Sequence, residues 1–210
     1  MVVNPEAVVL VGAGAFADEI SDLCLTAGVR VAGRIEGIDR ERVDPAADPP
    51  IVWVDEQAAF APDLPILPAI GAVARRGIVE RLVSEGRDLA TFVHPSAVVA
   101  PSAVIEPGCV VFPLVAVGAR TRIGRGTIVN RGGLIGHHTT IGAYCFVGPG
   151  ANIAGKVTIG DGVYVAIGSI VRDGSTVGEG ATIGAGAVVV RDVAASSTVV
   201  GLPARPLEAR

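Results

Sequence analysis

From Val93 onward, every sixth position is Val or Ile: Val93, Val99, Ile105, Val111, Val117, Ile123, Val129, Ile135, Ile141, Val147, Ile153, Ile159, Val165, Val171, Val177, Ile183 and Val189. The next residue is often Gly, as at Gly118, Gly124, Gly136, Gly142, Gly148, Gly160, Gly178 and Gly184. Two positions before each Val or Ile stands a small or β-branched residue, for example Ala97, Cys109, Thr127, Gly133, Cys145, Ala151, Ser169 or Ala187. A six-residue repeat of this kind predicts a parallel β-helix. Each hexad supplies one short strand and one corner, and three hexads close a triangular coil. The recurring Val or Ile stacks on its equivalent in the next coil, ~4.8 Å away. The small residue fits the tight corner. The repeat is long enough for a rod of five to six coils.

The residues before the repeat read differently. Ala7 to Val11 is a short apolar run that ends in Gly12-Ala13-Gly14-Ala15-Phe16-Ala17. A helical pattern follows through Leu25, with Gly28 as its C-terminal cap. Strand, glycine turn and helix in this order let a backbone approach a phosphate at a helix N-terminus. A second strand is expected over Val29 to Ala32. Glu36 and Asp39 follow the turn at about twenty residues, where a partner for a ribose hydroxyl would sit. The segment is too short for a full dinucleotide fold, so a mononucleotide or nucleotide sugar fits it better than NAD. Asp44 to Pro50 and Pro62 to Pro68 read as loops. Ile66 to Ile70 reads as a buried strand, and Ala72 to Glu85 as a helix carrying Arg75, Arg76 and Arg81. The pattern divides the chain into an α/β, Rossmann-like subdomain over residues 1–91, an all-β rod over 92–193 and a C-terminal cap over 194–210.

Composition narrows the classes of function. Only 4% of residues are aromatic although half are apolar, so Val, Ile, Ala and Leu must fill the core. The net charge of −4 offers no basic footprint for nucleic acid or an anionic membrane. No apolar run approaches the ~18 residues of a membrane span, and the N-terminus lacks the features of a signal peptide. Cys24, Cys109 and Cys145 have no metal-type spacing. Cys109 and Cys145 share the small inward position two coils apart, ~10 Å, beyond the ~7 Å reach of a disulfide. A reducing cytoplasm is the expected location.

One stretch interrupts the apolar repeat with groups that move protons. Val129 to Val147 reads V-N-R-G-G-L-I-G-H-H-T-T-I-G-A-Y-C-F-V and holds His137 and His138; the third histidine, His94, lies at the start of the repeat. Both residues of the pair occupy outward positions of their hexad. Gly155 lies one coil beyond His137 on the same face. An imidazole can take a proton at neutral pH, and a glycine N–H without a covering side chain can meet a developing oxyanion.

The motifs together resemble the NeuD/PglD-type sugar acyltransferases, a branch of the hexapeptide-repeat transferases with a left-handed β-helix. The resemblance rests on V-V-L-V-G-A-G-A-F-A at Val8 to Ala17, A-I-G at Ala69 to Gly71, V-H-P-S-A-V at Val93 to Val98, the stretch around His137, N-I-A-G-K-V-T-I-G at Asn152 to Gly160, and G-L-P-A-R at Gly201 to Arg205. It implies a left-handed coil, whereas the general handedness of parallel crossovers would give the opposite hand. It also implies a homotrimer that transfers acetyl from acetyl-CoA to a sugar, often an amino sugar carried on a nucleotide, with no metal. His137 corresponds to the catalytic base, with His138 beside it and Gly155 as the oxyanion donor. Acetyl-CoA would lie between neighbouring rods near Phe146, Gly155, Ile167 and Ala185, with Pro203 and Arg205 of the C-terminal motif. The nucleotide sugar would lie near Gly14, Ala15, Phe16, Asp39, Gly71 and Asn130. The chain departs from the family where an acidic residue usually follows the base: here it is His138. Gly136 precedes the base, Gly14-Ala15-Phe16 replaces Gly-Gly-His, and Phe146 replaces a histidine near the cofactor.

Three other readings compete. One is O-acetylation of a sialic-acid type sugar. A second is a zinc hydratase like the γ-carbonic anhydrases, which needs three converging histidines; His94 and His137 are more than two coils apart. The third is a non-catalytic rod that has lost the chemistry, and the missing acidic neighbour of His137 is its support.

Overall fold

The computed structural model describes residues 3–71 and 74–207. These form two compact units, one ending at His94 and one starting at Pro95.

In the N-terminal unit four parallel strands form one sheet in the order β3-β2-β1-β4, with β1 Ala7–Val11, β2 Arg30–Glu36, β3 Ile51–Trp53 and β4 Ile66–Pro68. The central strand β1 is buried along its whole length, as expected for a parallel strand covered on both faces. Helix α1 (Ala15–Thr26) buries Ala17, Ile20 and Cys24, one stripe at helical spacing. Gly28 follows with φ +75°, the left-handed conformation that ends helices. Helix α2 spans Arg75–Ser84; Ala72 and Val73, at the start of the predicted helix, lie outside the described residues. The structure differs from the sequence reading at three edges. β2 runs on to Glu36 because Ile35 pairs with Val11. β4 stops at Pro68. The three-residue strand β3 was not anticipated, since it is short and follows a proline-rich loop.

The C-terminal unit is a left-handed parallel β-helix. Two-residue strands run from Val98–Val99 to Val188–Val189, each ending on a Val or Ile of the repeat. Up to the last coil each pairs in parallel with residues eighteen further on, as Ile128 does with Phe146 and Phe146 with Tyr164. The first face carries Val110–Val111, Ile128–Val129, Phe146–Val147, Tyr164–Val165 and Thr182–Ile183. The second carries Val98–Val99, Ala116–Val117, Leu134–Ile135, Asn152–Ile153, Ile170–Val171 and Val188–Val189. The third carries Val104–Ile105 through Thr176–Val177. The repeating Val and Ile point inward: Val111, Val129, Val147, Val165 and Ile183 are buried, each contributing about 1.5–3 kcal/mol of burial.

The corners follow a backbone rule. The first residue after the Val or Ile donates its N–H to the next coil, as Gly136 does to Ile153. The third adopts positive φ: Leu114, Arg120, His138, Tyr144 and Lys156 all lie between 55° and 59°. The second makes no ladder bond through its N–H. Pro95, Pro101, Pro107, Pro113 and Pro149 all sit at this second position, where a missing donor costs nothing.

The rule changes at the end. Thr182 pairs with Thr198, a spacing of sixteen instead of eighteen. The strand Arg205–Pro206 then pairs antiparallel with Thr198–Val200.

Candidate active site

His137 and His138 occupy the corner between the second and third faces, and both are exposed. The left-handed conformation of His138 (φ 57°) turns its ring back toward its neighbour. The two Nδ1 atoms lie 3.0 Å apart, and the rings meet edge to face. One Nδ1 must donate and the other accept. With His137 as donor, its Nε2 keeps a free lone pair, the state a base requires. His138 thus occupies the place where an orienting acid is usual.

Gly155 lies under this ring. A Cβ there would sit 2.9 Å from both Cε1 and Nε2 of His137, so a side chain at 155 would displace the imidazole. The backbone around Gly155 is fixed: Lys156 N–H donates to the His137 carbonyl at 2.8 Å, and Ala154 N–H to Val171. The Gly155 N–H has no acceptor among the described residues. His137, Gly155 and Asp173 share the second corner position in successive coils.

The other rod residues form a separate group. Ile167 and Ala185 stack at the corner between the first and second faces, with Gly186 N–H donating to the Ile167 carbonyl. The segment 201–204 follows: Val188 N–H donates to Gly201, and Ala204 N–H donates to Val188. Arg205 pairs with Val200 and lies at the end of the rod beside Arg191, Asp192 and Val193, outside the Ile167–Ala185 row. Phe146 lies on the first face, largely buried and stacked on Tyr164 at 5.1 Å between centroids. Asn130 is buried at the same corner series, and its carboxamide oxygen accepts from Arg131 N–H. Within one chain the structure stacks Ile167 and Ala185 on one edge and brings His137, His138 and Gly155 together on another. It does not bring the two groups to one point. They flank opposite edges of the second face.

In the N-terminal unit, Gly12 has φ +123°, and a Cβ there would lie 2.7 Å from Ile70. The turn after β1 is therefore closed against the end of β4, next to Gly71. Gly14 caps α1 without a side-chain hydrogen bond, with Ala15 and Phe16 in its first turn. The buried Glu36 accepts from the N–H groups of Ala13, Gly37, Ile38 and Asp39. Its carboxylate is spent on the loop, so it is not open to a ribose. Asp39 accepts from Glu41 N–H and pairs with Arg42 at 3.3 Å. Arg42 escaped the sequence reading: a Cβ on Gly14 would lie 3.2 Å from its guanidinium. No motif marked it.

All three cysteines are buried thiols, none of them in a disulfide. Burial pushes the Cys24 thiol up to about 12. Cys109 and Cys145 do more than pack: their thiols lie 3.2 and 3.1 Å from the carbonyls of Gly124 and Gly160. Among the described residues no three His, Cys, Asp or Glu side chains could hold one metal ion, and no helix is long and apolar enough to cross a membrane.

The family model described as bacterial transferase hexapeptide (six repeats) matches residues 138–166 and 156–191. No curated protein matches the chain. Several solved structures do. A histidine variant of perosamine N-acetyltransferase from Caulobacter crescentus, in complex with CoA and GDP-perosamine, is 30% identical, with 97% of each chain covered and a TM-score of 0.89. The acetyltransferase domain of PglB from Neisseria gonorrhoeae, in complex with acetyl coenzyme A, is 31% identical over 96% of this chain and 99% of that one, with a TM-score of 0.87. WeeI from Acinetobacter baumannii, at 24% identity and a TM-score of 0.84 over 96% and 100% of the chains, shares the fold. The repeat, its corners and these full-length matches agree: the chain belongs to the NeuD/PglD-type sugar acyltransferases, hexapeptide-repeat proteins with a left-handed β-helix.

Proposed function

We propose that this chain transfers an acetyl group from acetyl-CoA to the amino group of a nucleotide-linked amino sugar, with His137 as general base. The observation that carries the reading is the His137 ring, held at Nδ1 by His138 and resting on Gly155. The sugar amine attacks the thioester carbonyl, and Nε2 of His137 takes the proton it loses. The carbonyl oxygen becomes an oxyanion beside the Gly155 N–H. Collapse expels the CoA thiolate, which recovers the proton from the imidazolium. No acyl-enzyme forms, and the buried cysteines take no part. Two relatives support the substrates: the Caulobacter protein binds CoA and GDP-perosamine, and the Neisseria domain binds acetyl-CoA.

Residues 1–91 serve as the nucleotide-sugar subdomain, with the open end of α1 and Arg42 over Gly14 as the phosphate contacts. Residues 92–193 carry the transfer. The working form is a homotrimer. Its support is the second face, where Val98, Leu134 and Ile170 are exposed between the base on one edge and the Ile167–Ala185 row on the other. A neighbouring rod brings one copy's base to the other copy's row. Three cysteines without a disulfide and the use of acetyl-CoA fit the cytoplasm.

The test is acetyl-CoA turnover against a panel of nucleotide-linked amino sugars and hydroxyl sugars, GDP-perosamine among them. Transfer to an amine is expected, with His137→Ala lowering kcat by ~10²–10⁴ and leaving the fold intact. Transfer to hydroxyls alone would make it an O-acetyltransferase. No transfer, or an unaffected His137→Ala, would overturn the base.

A further inference from the structure

Thr139 reads as core: it is fully buried, at the small inward position of its hexad. Its hydroxyl donates to the Ala154 carbonyl at 2.9 Å and accepts from Val157 N–H at 3.3 Å. Ala154 and Gly155 share one peptide unit, which is planar and trans. Holding its carbonyl inside the rod turns its N–H, that of Gly155, outward beside His137.

The same device recurs one corner away, and there its result is visible. The Thr127 hydroxyl holds the Gly142 carbonyl at 2.8 Å, and the outward N–H of Ala143 donates to the Asp161 carboxylate at 2.8 Å. The Cys109 thiol holds the Gly124 carbonyl, and the outward N–H of Arg125 donates to the Glu106 carboxylate at 3.0 Å. In both cases a peptide clamped from inside presents an N–H that binds an oxygen anion. At Gly155 the clamp is the same, and although Asp173 stands at the register that Asp161 holds, the Gly155 N–H has no acceptor among the described residues.

We infer that Thr139 is a positioning residue that presets the Gly155 N–H for the transition-state oxyanion; this rests on the acyl-transfer reading above. It touches no substrate. It fixes the peptide plane before the thioester arrives, so the donor need not reorient as charge develops. Thr121 extends the device by one coil, holding the Gly136 carbonyl at 2.8 Å and so the backbone of His137 itself.

The experiment compares Thr139→Val, Thr139→Ser, Thr127→Val and His137→Ala, using acetyl-CoA and the best acceptor of the panel, with urea unfolding of each. Thr127→Val is the matched control: it removes the same buried hydroxyl and the same coil-to-coil bond away from His137. Thr139→Val should lower kcat by ~10–10²-fold with the KM for acetyl-CoA within about twofold, as when an interaction made only in the transition state is removed. Thr139→Ser should recover most of it. Thr127→Val should shift the urea midpoint as much as Thr139→Val while keeping kcat. If Thr139→Val does not fold, Thr139→Cys replaces it. Cys145 already holds a carbonyl from this position, and a graded loss from Thr to Cys is then expected. Equal kcat in the two valine variants with His137→Ala still strongly impaired would overturn the role of Thr139 and leave the base standing. Full activity in His137→Ala, or a wild type inactive on every acceptor, would overturn both.

Discussion

At the residue scale the site turns on small distances between few atoms. His138 stands where a carboxylate is usual, and its Nδ1 reaches His137 Nδ1. A neutral imidazole can accept that proton, but a carboxylate would also stabilise the imidazolium as it forms. His138→Glu should therefore keep or raise kcat, whereas His138→Ala should lower it less than His137→Ala does; steady-state kinetics on the three variants checks the order. Gly155→Ala makes a separate demand. Its methyl would enter the His137 ring, so kcat should fall while thermal unfolding stays close to wild type. An unchanged kcat would mean that the ring adopts another position during transfer. The cysteines give a third expectation. A thiol raised to about 12 holds a negligible thiolate fraction at neutral pH, and the other two lie inside the rod. A thiol reagent should label none of the three in the native protein, leave transfer intact, and label all three in denaturant.

At the element scale the corner rule makes a sharp distinction between neighbouring backbone positions. Gly178 donates its N–H to Val193, whereas Glu179, one residue later, makes no such bond. Glu179→Pro should be tolerated or stabilise by ~0.4–1 kcal/mol, because proline restrains the unfolded chain. Gly178→Pro removes a ladder donor and should destabilise by more than that gain. Urea unfolding of the pair measures the difference. This rule was missed in the sequence, although Pro95, Pro101, Pro107 and Pro113 are spaced by six and proline at a fixed phase marks a backbone N–H with no partner. The strands and the outward placement of both histidines were legible, since side-chain direction repeats with the hexad. The clamp of Thr139 on Ala154 was not. It joins residues fifteen apart, and a threonine at an inward position looks the same whether it only packs or also orients a peptide. Arg42 and strand β3 were hidden too. Their placement depends on how a proline-rich loop folds back, which no periodicity encodes.

At the scale of the whole molecule, one chain carries the two halves of the proposed transfer site on opposite edges of the second face. If neighbouring copies complete the site, two inactive variants should rescue each other. Co-expressed His137→Ala and Ala185→Trp chains should form mixed trimers in which some sites keep both native residues, and activity should return. Light scattering should report a trimer, and Leu134→Asp with Ile170→Asp should reduce both its mass and its activity. A monomer with full activity would end the shared-site model. The close of the rod has a consequence of another kind. A stack of parallel strands has no natural end, because each coil exposes a row of backbone donors and acceptors to the next. Here the last coil is two residues short, and the outermost strand runs backward and carries Pro206, which has no N–H to offer beyond the edge. These features make the molecule finite: its final layer is a poor template, so the fold that repeats within the chain does not go on to grow from one chain into a fibre.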